Sequence, residues 1–359
     1  MFREIGGNLP LNRDDIQRHA TQQDIWGCSS FKSALYLNSG SSAIFYLLDN
    51  NYVGEKNVVL PAYTCITCIR PFIYRNFNIQ YYTINKDLTI NKDSFEKAIH
   101  HFNNNCIVYI HAYFGFNTLE CIKNVLADLR KTPNITIIND FTHSWLNQNQ
   151  IDAHFYIASL RKWLQTPDGG ILASNINLSF NNINILDYDR EQTDAYIKAS
   201  LLKNKYLDND ASISKDQFYP LFKESVACFK KKEIRTMSPI SKAVYDNTNY
   251  QEVIAKRKKN CQYLLDHIKN PYIEKIFSTV PDNAVPFYLP VYVKDDRTKF
   301  QQYLAANNIY CPIHWSVPEY IANTPFANEI YPQIISLVCD QRYELDDMDR
   351  FASTINNYK

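Results

Sequence analysis

Residues 135–174, ITIINDFTHSWLNQNQIDAHFYIASLRKWLQTPDGGILAS, decide the fold class of this protein. Three apolar runs in this stretch, at 135–139, 154–159 and 171–174, have the length and composition of buried strands. Upstream, further strand-like runs alternate with helix-length segments through the first half of the chain. This alternation predicts βαβ units around a mainly parallel sheet that helices cover on both faces.

The second half of the chain has a different pattern. Residues 181–238 are polar and irregular, and a long charged helix is predicted over 239–269. A strand at 286–293 and helices at 297–307 and 340–355 follow. We therefore predict a large α/β domain over residues 1–238 and a smaller C-terminal α+β domain over residues 239–359.

Composition excludes several classes of protein. The 359 residues include 38 basic and 37 acidic side chains, and 45% are hydrophobic, which is typical of a globular chain. The near-neutral balance argues against a nucleic-acid partner bound through phosphate neutralisation. No apolar run approaches the roughly 20 residues of a bilayer span, and the N-terminus lacks an apolar signal core. We expect a cytoplasmic protein without a membrane partner.

Nine cysteines are scattered along the chain, which does not suggest a disulfide framework. Cys65 and Cys68 form one isolated CxxC, and no second pair follows at the spacing of a zinc site. We expect no metal and assign this motif no chemistry. Only eight glycines occur, and the last are Gly169 and Gly170. A chain with so few glycines is expected to place them where a left-handed turn or a close backbone approach requires them.

Lys162 is the first candidate catalytic residue. It lies between two strand-like runs, in a largely uncharged and aromatic segment just before the glycine pair. A lysine amine in such a setting can act as a nucleophile. The segment by itself fits an ordinary surface lysine beside Arg161 equally well.

Asp140 and His143 follow the strand-like run at 135–139. Ligands of parallel α/β sheets bind at the carboxyl ends of the strands. A carboxylate there can pair with a cationic ring nitrogen, and His143 could face the same ligand. By itself, Asp140 also fits a helix-capping residue.

Gly40, Ser41 and Ser42 stand between a strand-like run and a helix-like run. The free N–H groups and the positive dipole end of a helix start favour a phosphate, although serine is common there. The segment is neither a P-loop nor GxGxxG, which disfavours nucleotide hydrolysis. Together, a phosphate turn, a strand-end carboxylate and a lysine about twenty residues later are what pyridoxal phosphate requires.

The sequence resembles the sugar aminotransferase family often called DegT/DnrJ/EryC1/StrS, which has the aspartate-aminotransferase-like fold, or fold type I. The resemblance runs from about residue 34 to 174 and returns weakly at CPIHWSVP (residues 311–318) and near the C-terminus. It includes the segments LNSGSSAIFYLL, VVLPAYTC, IVYIHAYFG, ITIINDFTHS and SLRKWLQTPDGGIL. It implies pyridoxal 5'-phosphate as cofactor and a mainly parallel sheet of the seven-stranded type.

The resemblance also implies residue roles. Lys162 would form the imine with the cofactor, Asp140 would pair with the pyridine nitrogen, and His143 would contact the ring or its phenolic oxygen. The remaining residues implied to bind the cofactor, mainly at its phosphate, are Gly40, Ser41, Ser42, Tyr63 and Ser159.

His314 and Trp315 lie on a loop of the predicted small domain, where the resemblance implies a substrate-facing segment. The pair could bind a sugar ring by stacking and hydrogen bonding. A packed tryptophan beside a hydrogen-bonded histidine explains the same residues equally well.

Two features depart from the family pattern. After VVLPAYT the family often has an aromatic residue that stacks on the pyridine ring, whereas this chain has Cys65. The Asn–Arg segment by which a neighbouring subunit completes the phosphate site is not found, and Arg235 is a candidate in about the right place. These departures bear on substrate choice more than on cofactor binding.

The resemblance implies a homodimer with the active site at the interface. It also implies amino transfer from a donor, commonly glutamate, to a keto group of a nucleotide-linked sugar, with pyridoxamine phosphate as an intermediate. Lys162 would move the proton as base and acid in turn. Three alternatives stay open: a lyase or desulfurase reaction on the same cofactor, a non-catalytic protein that kept the fold, and an α/β protein that binds another phosphorylated ligand.

Overall fold

The computed structural model describes residues 4–11, 31–50, 54, 56–148, 150–178, 184–322 and 324–359. The strands in these ranges are β1 (Ile5–Gly6), β2 (Ser33–Leu37), β3 (Asn57–Pro61), β4 (Asn78–Tyr82), β5 (Cys106–Ile110), β6 (Ile135–Asp140), β7 (Phe155–Ser159), β8 (Gly170–Ser174), β9 (Ile273–Lys275), β10 (Leu289–Val293), β11 (Ile309–Tyr310) and β12 (Ile334–Leu337). The α-helices are α1 (Gly40–Asp49), α2 (Ile66–Tyr74), α3 (Lys92–His100), α4 (Lys123–Leu129), α5 (Arg190–Leu207), α6 (Lys215–Ser225), α7 (Pro239–Asn247), α8 (Tyr250–His267), α9 (Arg297–Ala306) and α10 (Leu345–Asn356).

Contacts between residues divide the chain into two units. The first unit comprises Met1–Gly7, Gly54–Ala153 and Gln251–Lys359, and the second comprises Asn8–Val53 and His154–Tyr250. This division does not follow the predicted boundary at residue 238, and a domain boundary there stays a prediction.

The first unit contains a parallel sheet in the order β6-β5-β3-β4. Helices α2, α3 and α4 connect its strands in sequence, which makes three consecutive βαβ units. The strands are apolar because both faces of such a sheet are covered, and all five residues of β5 are buried. The carboxyl end of β6 is Asp140.

The C-terminal part of the first unit has an α+β arrangement. Strands β12, β10 and β9 form an antiparallel sheet in that order, and β1 pairs in parallel with β11. Helices α8, α9 and α10 belong to the same part of the chain. Arg257, in the basic run at 256–259, is buried and donates to the carbonyls of Pro286 and Phe287.

The second unit contains an antiparallel sheet in the order β2-β8-β7. All residues of β7 and β8 are buried, and α1 follows β2 after a two-residue turn. Helices α5 and α6 pack through Tyr196 and Phe222, whose ring centroids lie 5.5 Å apart. Among the described residues, the sheet of the first unit has four strands and that of the second unit has three. The total of seven is the number of strands that the resemblance implies.

Two segments differ from the pattern predicted from sequence. Residues 190–207 and 215–225 are helices rather than irregular chain, because small and aromatic residues such as Ala195 and Ala199 form a narrow buried stripe within a polar sequence. The single helix predicted over 239–269 is two helices, α7 and α8. The break occurs at Thr248, whose ψ of 131° is extended and whose hydroxyl donates to the Val244 carbonyl.

Asparagine explains the low glycine count. Six of the described residues with left-handed φ angles are asparagines, for example Asn76 at 56° and Asn134 at 62°. Asparagine tolerates this conformation better than most residues do, so it occupies turns that other proteins give to glycine. No helix within the described ranges is both long and apolar enough to cross a bilayer.

Candidate active site

Asp140 ends strand β6 and its carboxylate is held by three donors. The Tyr109 hydroxyl donates to Oδ2 at 2.6 Å, and the Cys68 thiol donates to the same oxygen at 3.5 Å. The backbone N–H of Thr142 donates to Oδ1 at 2.9 Å. A carboxylate offers about four acceptor positions, so a further donor can still bind Asp140.

Tyr109 and Cys68 are site residues that the sequence analysis missed. Tyr109 is fully buried on β5, where it pairs in register with Ile138, two residues before Asp140 on β6. Residues two apart on a strand share a face, so this register brings the tyrosine to the carboxylate. Cys68 lies in the first turn of α2, which makes one thiol of the CxxC motif a partner of Asp140.

Burial raises the pKa of Tyr109 well above its ordinary value, and the nearby Asp140 raises it further. The hydroxyl therefore keeps its proton at neutral pH and acts as a donor. This direction agrees with the short contact to the carboxylate.

His143 is buried in an aromatic environment three residues after Asp140. The Phe114 backbone N–H donates to its Nδ1 at 3.4 Å. The Trp315 indole stacks on its imidazole at an interplanar angle of 23° and a centroid distance of 5.3 Å. The ring of Phe287 lies 4.6 Å away. That His143 faces a ligand stays a prediction.

Tyr63, His314 and Trp315 lie together around His143. The Tyr63 hydroxyl donates to the carbonyl of His314, and its ring lies 5.1 Å from the Trp315 indole. His314 places its Nδ1 at 2.8 Å from the Ser336 hydroxyl and its ring 5.7 Å from His143. The first unit thus gathers four of the residues predicted from sequence, with both loop residues only half-buried.

His111 is a further residue that the sequence analysis did not single out. It follows β5 and is buried, with its ring 5.9 Å from Trp315 and 6.0 Å from His143. The signal was available, because His111 occupies the carboxyl end of the strand next to β6.

In the second unit, α1 begins with a tight polar turn. Ser39 is the N-cap, and its hydroxyl accepts from the Ser42 N–H at 3.1 Å. The Ser42 hydroxyl donates to the Asn38 side chain at 2.6 Å, so its hydrogen is used inside the turn. No acidic residue occurs in the first turn of α1, so that turn itself does not offset the positive dipole end of the helix. Phosphate binding by Ser41 and Ser42 stays a prediction.

The glycine pair connects the lysine segment to this turn. A Cβ atom on Gly170 would lie 2.2 Å from the carbonyl carbon of Ser39, so only glycine fits there. Gly169, with φ at 129°, donates its N–H to the Asn38 carbonyl at 2.8 Å and accepts from the Leu160 N–H at 2.9 Å. Ser159 lies beside the start of α1, because a Cβ atom placed on Gly40 would be 3.7 Å from the Cβ atom of Ser159.

Lys162 ends the short 3-10 helix Leu160–Lys162 directly after β7. Its side chain is half-buried, and its amine forms no hydrogen bond or ion pair with the part of the chain that the structure describes. Arg161 beside it lies over the Phe229 ring at 4.5 Å. An amine without a partner among the described residues is available for a ligand.

Asp168 is a buried carboxyl group that the sequence analysis passed over. It accepts from the Ser238 hydroxyl at 2.8 Å and from the Ser238 N–H at 3.0 Å, which ties the glycine pair to the start of α7. Burial raises the pKa of Asp168 to about 6, although these hydrogen bonds lower it. The carboxyl group is therefore costly to ionise in the folded protein.

The two departures from the family pattern have structural counterparts. Cys65 is the N-cap residue of α2, and its Sγ lies 3.0 Å from the Thr67 hydroxyl. Arg235 forms an ion pair with Glu233 at 2.8 Å and donates to the Asp187 carbonyl. Among the described residues, no three His, Cys, Asp or Glu side chains are close enough together to hold a metal ion.

Comparison with known proteins places the fold. No protein-family model matches the chain. The dTDP-3-amino-3,6-dideoxy-alpha-D-galactopyranose transaminase of Aneurinibacillus thermoaerophilus is 28% identical over 112 residues, which are 29% of this chain and 31% of that relative. The match therefore spans less than a third of the relative's length.

Solved structures are similar over nearly the whole chain. Helicobacter pylori PseC, an aminotransferase involved in pseudoaminic acid biosynthesis, superimposes with a TM-score of 0.65, 15% identity and 98% coverage of both chains. A DegT DnrJ EryC1 StrS aminotransferase from Brucella abortus gives a TM-score of 0.62 and 14% identity, over 90% of this chain and 85% of that one. The chain has the fold of these aminotransferases, which confirms the predicted fold class.

Proposed function

We propose that this protein is a pyridoxal-phosphate-dependent aminotransferase that moves an amino group, from glutamate as donor, to the keto group of a nucleotide-linked sugar. The partly matching relative from Aneurinibacillus thermoaerophilus is by name a transaminase of a dTDP-linked sugar. Helicobacter pylori PseC is an aminotransferase involved in the biosynthesis of pseudoaminic acid. The substrate class proposed here rests on these two proteins and on the sequence resemblance.

The observation that carries the proposal is the environment of Asp140. A carboxylate stands at the carboxyl end of a buried parallel strand, with both oxygens hydrogen-bonded and one acceptor position left. That remaining acceptor position suits the cationic N–H of a heteroaromatic ring. The residues present therefore fit pyridoxal phosphate, with Asp140 as the acceptor of the ring N–H.

When bound, pyridoxal phosphate supplies an electron sink that draws off the electron pair left when a proton leaves the substrate carbon. In the proposal, the negative charge of Asp140 keeps a proton on the ring nitrogen, which sustains that sink. His143 contacts the same ring, and its aromatic surroundings exclude water from one side.

Lys162 supplies the amine that holds the cofactor. Its Nζ has no partner among the described residues, so no protein contact must be broken before it reacts. After a donor amine displaces it, the same Nζ takes a proton from the substrate carbon as base and returns it as acid.

The start of α1 is the proposed phosphate site. The positive dipole end of the helix favours a dianion, with Gly40, Ser41, Ser42 and Ser159 around it. The Ser42 hydroxyl donates to Asn38 and the Ser42 N–H donates to the Ser39 hydroxyl, so each would have to exchange its present partner for the phosphate.

His314 and Trp315 are proposed to face the sugar. Both are half-buried, and the indole presents an apolar ring while the imidazole offers a polar edge. The Tyr63 hydroxyl donates to the His314 carbonyl and so holds this loop in place. Tyr63 is therefore proposed to influence substrate binding indirectly, by positioning the loop.

The proposed enzyme is a cytoplasmic homodimer, with Arg235 of the second subunit as the candidate that completes the phosphate site. Arg235 would have to exchange its ion pair with Glu233 for the phosphate. Size-exclusion chromatography with light scattering tests the dimer.

Borohydride trapping tests the proposal. The protein is incubated with pyridoxal 5'-phosphate, reduced with borohydride, digested and analysed by mass spectrometry. We expect the reduced adduct on Lys162, no adduct in Lys162→Ala, and an unchanged adduct in Lys198→Ala, which removes an exposed lysine of α5. An adduct on any other lysine, or none, would refute the assignment.

Turnover separates the remaining alternatives. A trapped adduct with amino transfer from glutamate supports the aminotransferase. An adduct with elimination or sulfur release identifies a lyase or desulfurase instead. Absence of any adduct supports a non-catalytic protein or one that binds another phosphorylated ligand.

A further inference from the structure

We propose that Tyr109 and Cys68 are positioning residues that hold the Asp140 carboxylate toward the cofactor's ring nitrogen, and so help to keep the proton on that nitrogen. This inference rests on the proposed function, because it concerns the residue assigned to that nitrogen. Neither residue was assigned a role from the sequence, and both act through Asp140.

Geometry supports the assignment first. Both side chains donate to the same oxygen, Oδ2, from two different elements: Tyr109 from β5 at 2.6 Å and Cys68 from α2 at 3.5 Å. The Thr142 N–H holds the other oxygen at 2.9 Å. Contacts from three directions fix the plane of the carboxylate, so its remaining lone pair points in one direction.

Burial supports it second. Asp140 is 7% exposed and Tyr109 is fully buried, so water does not replace the hydroxyl if it is removed. A hydrogen bond to a charged acceptor is stronger than one between neutral groups. Tyr109 is therefore the stronger of the two positioning residues, and the weakly donating thiol of Cys68 is the second.

The consequence concerns a shared proton. Donors to a carboxylate stabilise its charged form and lower its affinity for a proton. With Tyr109 in place, the proton between Asp140 and the ring nitrogen stays on nitrogen. Without the hydroxyl, the charged carboxylate loses one of its three donors and its fixed orientation, and the ring N–H is held less firmly.

The test is Tyr109→Phe, which removes one hydroxyl and keeps the ring. The protein is reconstituted with ¹⁵N-labelled pyridoxal 5'-phosphate, and the ring-nitrogen resonance is recorded at neutral pH. We expect it to move from the protonated position toward the unprotonated one. We also expect kcat to fall about tenfold or more, while the KM for the amino donor changes less than about twofold.

Tyr82→Phe is the matched control. Tyr82 is equally buried on β4, and its hydroxyl donates to the Tyr109 carbonyl at 3.0 Å rather than to Asp140. Tyr82→Phe removes one buried tyrosine hydroxyl but no donor to Asp140, so the ring-nitrogen resonance should stay at its wild-type position.

Cys68 provides a second, independent pair of variants. Cys68→Ala removes the donor and should shift the resonance in the same direction as Tyr109→Phe, by a smaller amount. Cys68→Ser restores a donor and should return the resonance to the wild-type position, which loss of packing alone would not do.

The outcomes are distinguishable from failure of the proposed function. If labelled cofactor does not attach to Lys162 in the wild type, the proposed function is wrong. If it attaches with a protonated ring nitrogen, and the resonance stays unchanged in both Tyr109→Phe and Cys68→Ala, this inference is wrong and the proposed function stands. A shift in Tyr82→Phe equal to that in Tyr109→Phe would also overturn it.

Discussion

Gly170→Ala should damage the start of α1 and with it the proposed phosphate site. The added Cβ would lie 2.2 Å from the Ser39 carbonyl carbon, 2.4 Å from its oxygen and 2.8 Å from the Gly40 nitrogen. All three are backbone atoms, so no side chain can rotate away. Ordinary contact begins near 3.4 Å, and the turn must therefore move by about 1.2 Å.

The size of the effect follows from this overlap. Forcing an extra methyl group into a packed site costs up to about 3 kcal/mol, and a rigid backbone neighbour places this variant at the upper end. With an unfolding entropy of about 2.1 cal/mol/K per residue, the midpoint of thermal unfolding should fall by about 4 °C. Affinity for the cofactor should fall as well, because the displaced turn carries the N–H donors.

Gly40→Ala is the matched control for this prediction. Its Cβ would meet the nearest atoms at 3.6 to 3.8 Å, which is ordinary contact, and its backbone is helical. Differential scanning calorimetry and a pyridoxal phosphate titration compare both variants with the wild type. Equal midpoints and equal affinities for the two variants would refute the reasoning.

Three further predictions follow from the two units. Asp140→Asn should keep the cofactor attached to Lys162 but lower kcat at least about a hundredfold, because its neutral amide no longer favours a proton on the ring nitrogen; steady-state kinetics with a borohydride-trapping control check this. The wild type should lose about 3 kcal/mol of unfolding free energy as pH rises from about 4 to about 6, because folded Asp168 retains a proton that the unfolded chain has released, and Asp168→Asn should not show this loss. Calorimetry at a series of pH values measures the loss. The same dependence of stability on pH in the variant and the wild type would contradict the raised pKa. Trp315→Ala should raise the KM for the sugar acceptor about tenfold and leave that for glutamate unchanged, because it removes the ring proposed to stack on the sugar; a fall in glutamate affinity instead would argue against this role.

The sequence was sufficient for the fold class. The strand pattern and the glycine pair are local signals, and the resemblance added the order of the elements. The position of Asp140 at a strand end follows from the apolar run before it, and the structure places it there.

The donors to Asp140 could not be read from the sequence in the same way. Tyr109 reaches the carboxylate across a strand pair, and that contact depends on the register between β5 and β6. Cys68 reaches it from a helix that begins after another strand. Such contacts depend on tertiary packing, and neither residue differs from a core residue by local pattern.

The helices of the second unit were missed for a different reason. In α5, the buried residues include polar ones such as Gln192 and Lys203, whose side chains donate to the carbonyls of Pro167 and Asn8. Hydrophobic periodicity is weak where buried positions are polar, so the 3.6-residue pattern was obscured. These hydrogen bonds are made to distant parts of the chain and leave no local signal.

The central claim is amino transfer, and the reaction with glutamate alone tests it most directly. The reconstituted protein is mixed with glutamate without an acceptor, while the visible spectrum is recorded and 2-oxoglutarate is assayed. We predict that the absorption band of the lysine-bound cofactor disappears and that about one 2-oxoglutarate forms per active site, with no change in Lys162→Ala. A band that persists through glutamate, alanine and glutamine as donors, with no keto acid formed, would contradict the aminotransferase.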